Sequence, residues 1–206
     1  MTSRAAHWDR IFSTSEDETL GWYENYPEQT LELLQSVPKE SKNRVFLSGA
    51  GTSTLVQNLL DDGHELVIND ISQQALDKTA SNIKASQDQV CWLNQDIGLP
   101  IDGSFEKVDL WLDRAVLHFL TQREQIEQYV LNVRQCLKPD GYLMLAEFAE
   151  NGAEKCAGLP VHRYSLNLMQ QYFGQNFELI KTFNYDYVAP HGGTRPYIYA
   201  LFQYRP

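Results

Sequence analysis

The chain is poor in the features that would place it outside a reducing compartment or on nucleic acid. Its three cysteines, Cys91, Cys136 and Cys156, are odd in number and widely spaced, so they form neither a disulfide framework nor a Cys-x-x-Cys metal or redox site. The first residues, Met1 to Arg10, contain no apolar stretch of the signal-peptide kind, and no run approaches the roughly 18 apolar residues of a membrane span. The expectation is a cytoplasmic protein without a membrane partner. Cations are scarce as well: 17 Lys and Arg stand against 27 Asp and Glu, a formal net charge of −10. A surface so acidic is poorly suited to neutralising phosphates, so nucleic acid is not an expected partner. Neither a Gly-x-x-x-x-Gly-Lys-Ser/Thr phosphate loop, nor a Gly-x-Ser-x-Gly elbow, nor a His-Glu-x-x-His metal motif occurs. The absence of Tyr-x-x-x-Lys weakens a hydride-transfer reading, and no metal site is expected.

What is present is one domain's worth of chain, 206 residues with 43% hydrophobic side chains, in which short β-rich runs alternate with helical periods. Strands are expected at Val45 to Ser48, Glu65 to Asn69, Val90 to Leu93, Val108 to Leu112 and Tyr142 to Phe148. Phe177 to Phe183 and Tyr197 to Tyr204 follow as an antiparallel pair. Helical stripes fall at Leu31, Leu34 and Val37; at Leu55, Val56, Leu59 and Leu60, stopped by Gly63; and at Leu76, Ala80 and Ile83. Another runs from Ile126 to Leu137, entered through a capping box of Thr121 and Glu124 and closed by Pro139. The pattern predicts an α/β fold with a doubly wound, seven-stranded, mostly parallel sheet and an antiparallel last pair. Residues 1–40 read as an aromatic-rich lid and helix, and 41–206 as the core.

Chemistry concentrates at the carboxyl ends of the first strands. Val45-Phe46-Leu47-Ser48 runs into Gly49-Ala50-Gly51, a turn that opens a helix and lets a ligand approach the backbone. Asp70 ends the second strand, 19 residues after Gly51, where an acid can grip two ribose hydroxyls. Asp96 follows the third strand beside Ile97, suited to an adenine amino group and an apolar wall. Three such elements in order describe an adenosine pocket, in which we include Trp22, Ile71 and Asp113.

These residues resemble the signature of the class I S-adenosylmethionine-dependent methyltransferases, and the resemblance extends over about residues 40–206. The Gly-rich turn, ribose acid and adenine acid of that family are similar to Gly49-Ala50-Gly51, Asp70 and Asp96. Its signature before strand five is similar to Leu137-Lys138-Pro139-Asp140-Gly141, and Phe105 to His118 resembles its fourth motif. The resemblance implies S-adenosylmethionine as cofactor. Leu47 stands where the family usually carries an acid, and Ser53 where it carries a third glycine, so the usual carboxylate for the methionine amino group is missing.

Methyl transfer is an in-line displacement that chiefly needs alignment and exclusion of water. Asp113 and His118, after the fourth strand, are the expected proton acceptors. Trp8, Arg114, Arg163, Tyr164 and His191 are expected to face the methyl acceptor, with Trp8, Trp22 and Tyr23 as a lid. The fourth motif is not Asn/Asp-Pro-Pro-Tyr/Phe, which again disfavours a DNA substrate. The compact core is similar to methyltransferases of small sulfur compounds, of the thiopurine and methanethiol types. A thiol such as methanethiol or sulfide is therefore the leading small-molecule acceptor, since its ionisation needs no strong base. The His7-Trp8-Asp9 and Trp22-Tyr23 segments also resemble the leading part of some protein-lysine methyltransferases, so a protein amine is the runner-up. A non-catalytic adenosine-ligand sensor is a third reading, prompted by Leu47 and Ser53.

Overall fold

The computed structural model describes residues 3–38, 43–84, 87–101 and 106–206. Phe105, and the boundary between 1–40 and 41–206, lie outside the described residues. Seven strands form one sheet: β1 (Arg44–Ser48), β2 (Glu65–Asp70), β3 (Val90–Asn94), β4 (Val108–Arg114), β5 (Leu137–Phe148), β8 (Phe177–Val188) and β9 (Thr194–Tyr204). Their order is β3-β2-β1-β4-β5-β9-β8. The pairs among the first five are parallel, and β9 runs antiparallel to both β5 and β8. The order reverses direction between β1 and β4, the switch point where open α/β sheets bind ligands. A separate two-stranded hairpin joins β6 (Lys155–Cys156) to β7 (Leu159–Pro160).

Strand alternation divides the core. Val45 and Leu47 of β1 share one buried cluster with the apolar faces of α2 (Glu28–Leu34), α3 (Leu55–Asp61) and α4 (Gln73–Asn82). Phe46 points to the other face, where Trp111 of β4 meets α5 (Arg123–Cys136) and α6 (Leu166–Phe173). A sheet buried on both faces requires the continuous apolar runs that the parallel strands show. No helix among the described residues is long and apolar enough to cross a membrane.

Several local expectations change. Trp22 and Tyr23 of the aromatic segment lie in non-helical chain, whereas its first part, with Trp8, is a helix, α1 (Arg4–Thr14), capped by the Ser3 side chain. Its Trp8 and Phe12, one turn apart, pack with Leu20 and Ala75, seating α1 on α4. The capping box at Thr121 does not form: α5 starts at Arg123 with Gln122 as its N-cap and no side-chain cap bond, so Thr121 falls one residue too early. That helix stops at Cys136 rather than at Pro139, because Leu137 already pairs with Val108. In α4 the buried face is Ala75, Leu76 and Thr79, with Ala80 exposed and Ile83 beyond the helix end. Thr79 turns inward because its hydroxyl donates to the Gly51 carbonyl at 2.7 Å.

Phe46 is fully buried and its ring stacks on Trp111, centroids 3.8 Å apart and planes 6° from parallel. Phe46→Ala is expected to destabilise the fold by about 3–5 kcal/mol, measured by urea unfolding.

Candidate active site

The site is built where β1, β2, β3 and β4 end. Gly49 and Gly51 adopt φ of 52° and 53°, a left-handed conformation that only glycine takes without strain. Space reinforces the choice: a Cβ on Gly49 would lie 2.4 Å from Val116 Cγ2, and one on Gly51 would lie 3.1 Å from the Phe12 ring. Asp70 ties this turn to the next strand. One carboxylate oxygen accepts from Gly51 N–H at 2.8 Å and the other from Ser72 N–H at 2.8 Å. Burial pushes the Asp70 carboxyl up to about 6, against the lowering effect of these two bonds. Asp96 accepts from Gly98 N–H at 2.8 Å, which orients it at the end of the third strand.

These groups line one cavity, together with Ala50, Ile71, Ile97 and Arg114. The order of strands spreads them across the opening: Asp96 at β3, Asp70 at β2, the glycine turn at β1 and Arg114 at β4. Aromatic rings roof it. Trp8 stands edge-on to Trp22 and Phe119, at 5.6 and 5.0 Å between centroids. The roof is fastened by polar contacts: Asp9 accepts from the Ser72 hydroxyl at 2.7 Å and from Gln74 N–H at 3.3 Å, and His7 Nε2 lies 3.1 Å from the Ala157 carbonyl.

The two expected proton acceptors are elsewhere. Asp113 and His118 have no exposed surface and do not line the cavity. Alternation along β4 turns Asp113 to the sheet face opposite Arg114. There it accepts from Tyr129 Oη at 2.6 Å and from Val116 and Leu117 N–H at 3.1 and 3.3 Å. Its carboxyl thus shapes the turn that brings Ala115 and Val116 to the cavity, and we reassign it from catalysis and cofactor contact to positioning. Glu147 of β5 shares a hydrogen bond with Asp113 and accepts from His118 N–H at 3.1 Å. Burial pushes Glu147 up to about 8 and Asp113 well above the usual carboxyl range, the second helped by the charge of Glu147. His118 packs its ring between Phe119 and Phe148, with Nδ1 3.1 Å from Glu147.

Three of the five expected acceptor-side residues also fall outside the cavity. Arg163 lies at the surface, 3.7 Å from Glu154 and 3.4 Å from the Gly152 carbonyl. Tyr164 is a core residue, 1% exposed, and its N–H pairs with the Phe148 carbonyl. His191 is exposed in the turn between β8 and β9. Trp8 and Arg114 are at the cavity, as is Trp22 from the cofactor set. The reading of the sequence missed Phe12, Glu24 and Cys156, which line it too. The spacing of Trp8, Ile11 and Phe12 is the helical signal that would have found the first; Glu24 and Cys156 sit in no motif.

The glycine cradle, the two acids and the adjoining isoleucines fit a nucleoside ligand. The sheet order and helix placement are those of the Rossmann-like methyltransferase class. Residues 48–143 match the family described as "Methyltransferase domain". A methyltransferase dependent on S-adenosylmethionine from Anabaena variabilis shares the fold, with a TM-score of 0.78 at 15% identity over 98% of this chain and 93% of that one. The N-methyltransferase NodS of Bradyrhizobium japonicum, solved with S-adenosylhomocysteine, aligns with a TM-score of 0.72 at 15% identity, covering 98% of each chain. The 1,6-didemethyltoxoflavin-N1-methyltransferase of Burkholderia thailandensis, also holding S-adenosylhomocysteine, gives 0.69 at 15% identity over 96% of this chain and 82% of that one. No curated protein matches the sequence significantly. The chain has the class I, Rossmann-like methyltransferase fold, and part of it matches the methyltransferase domain family.

Two outcomes are expected. With Asp70 accepting from the ribose, donor affinity in calorimetry falls as pH drops through about 6, where the carboxyl gains its proton. Asp70→Asn lowers affinity roughly tenfold, the loss of one bond to a charged group, and flattens that dependence. Glu147 keeps its proton in the folded state up to about 8 but releases it near 4.5 when unfolded. Its contribution to stability is therefore complete below about 4.5 and is lost as pH rises through about 8. Thermal melts between these limits should show a steeper decline for the wild type than for Glu147→Gln.

Proposed function

We propose that the chain moves the methyl group of S-adenosylmethionine to a small acceptor held under Trp8 and Trp22, and that this acceptor is a thiol such as methanethiol or sulfide. The donor, when bound, supplies an activated methyl on a sulfonium. The chain's own part is to hold the nucleoside with the glycine turn, Asp70 and Asp96, to align the acceptor and to keep water out. The aromatic roof favours an apolar acceptor, and the faces of its rings stabilise a sulfonium by cation-π attraction.

The observation that carries the thiol reading is the burial of Asp113 and His118 away from the cavity. A thiol ionises far more readily than an alcohol and is a strong nucleophile once ionised, so it tolerates the lack of these bases better. The two ligand-bound neighbours are N-methyltransferases, so the thiol reading rests on this cavity and not on them. The protein-amine reading loses ground. His7, Trp8 and Asp9, which prompted it, are engaged in fastening the roof to Ala157, Phe119 and Ser72.

The test is release of S-adenosylhomocysteine by the purified protein given S-adenosylmethionine and, separately, sulfide, methanethiol, larger thiols, small amines and a protein extract. Turnover on a thiol, with the S-methylated product detected (methanethiol from sulfide, a methyl thioether from an alkyl thiol), is the expected result. Turnover confined to amines or to extract would replace the thiol, and donor binding without turnover on any acceptor would favour the sensor.

A further inference from the structure

The cavity has a polar end beyond the glycine turn and the two acids. Glu24 lines it from the stretch after Trp22, with its side chain only 12% exposed, and its carboxylate is 3.1 Å from Arg114 Nη2. Arg114 is held firmly: Nη1 donates to the Trp22 carbonyl at 3.0 Å and Nε to Tyr199 Oη at 3.3 Å. Its guanidinium carbon lies 5.1 and 5.2 Å from the ring centroids of Tyr187 and Tyr197. Glu24 is tied to the glycine turn from the other direction, since the Thr54 hydroxyl donates to its carbonyl at 3.0 Å. Tyr187 Oη donates to the neighbouring Tyr23 carbonyl. Leu47, also on the cavity wall, brings no charge of its own.

Position and chemistry agree on a ligand for this pair. Crossing the strand ends from β3 to β4 passes Asp96, Asp70, the glycine turn and then Arg114 with Glu24. A donor whose adenine and ribose occupy the first two acids extends its amino-acid portion toward the last two residues. That portion ends in an ammonium and a carboxylate on one carbon, and a carboxylate beside a guanidinium is its complement. We propose that Glu24 and Arg114 clamp the zwitterionic head of S-adenosylmethionine, Glu24 accepting from the ammonium and Arg114 donating to the carboxylate. The contact between them in the structure opens to admit the head, so four charges replace two with no change in net charge. Burial raises the Glu24 carboxyl despite Arg114, which leaves it short of full compensation and receptive to a second cation. Glu24 thereby stands in for the acid absent at position 47.

The clamp predicts a dependence on the ligand's head and not on its nucleoside. Calorimetry with the full chain compares S-adenosylhomocysteine with 5′-methylthioadenosine, which carries the same nucleoside and no amino-acid head. Glu24→Gln should weaken S-adenosylhomocysteine by roughly 10- to 100-fold, the range for one lost bond to a charged group, and leave methylthioadenosine within about twofold. Arg114→Lys, which keeps the charge but not the two-pronged donation, should show the same selectivity, and thermal melts of both variants establish that they are folded. Affinities for the two ligands that fall together, or that stay unchanged, would overturn the proposal. So would unchanged S-adenosylhomocysteine affinity joined to a raised KM for the acceptor, because the pair would then belong to the acceptor. No part of this comparison depends on the acceptor being a thiol.

Discussion

The site depends on one carboxylate. Asp70 accepts from Gly51 N–H with one oxygen and from Ser72 N–H with the other, so the turn after β1 and the start of α4 are fixed to the same buried group. Both glycines of that turn stand at positive φ, a conformation that alone fixes nothing; the bond to Asp70 holds it in place. Burial makes this acid easier to protonate than an exposed one. The group that organises the turn thus takes up a proton at higher pH than an exposed carboxylate does, and a ligand that donates hydroxyls to it would restore what burial removed.

The sheet separates two polar systems that lie only one residue apart in sequence. Asp113 faces the α5 side, where Trp111, Tyr129 and Glu147 complete a buried network. Arg114 faces the opposite side, with Glu24 and three tyrosines. The first system is closed to ligand and governs the shape of the turn that borders the cavity; the second opens into it. An uncompensated buried charge is costly, whereas a buried pair that keeps a proton or a counter-ion is tolerable. Each network here has one or the other.

The parallel core, and the meeting of the glycine turn, Asp70 and Asp96 at one cavity, were legible because both are written in local patterns. Short apolar runs specify strands buried on two faces, and Gly-x-Gly and the two acids fall at fixed places after them. What failed required knowing the direction of a side chain. Asp113 and Arg114 read alike as polar residues beyond β4, and only the alternation of the strand, together with its exact end at Arg114, sends one into the core and the other into the cavity. Tyr164 and His191 were misplaced for the same kind of reason: the chain after β5 forms a small hairpin and a long antiparallel pair whose register no motif announces. Glu24 was invisible because its role comes from a contact across 90 residues of chain with Arg114, and contacts of that range leave no spacing to read.

In the proposed complex a single donor molecule spans the strand ends from β3 to β4 beneath the α1 roof. A crystal structure of the full chain with S-adenosylhomocysteine tests it most directly. The adenine is predicted beside Asp96 and Ile97, the ribose on Asp70, and the amino-acid head between Glu24 and Arg114 with their mutual contact broken. A homocysteine head directed away from β4 with that contact intact, or a nucleoside seated off Asp70, would contradict it.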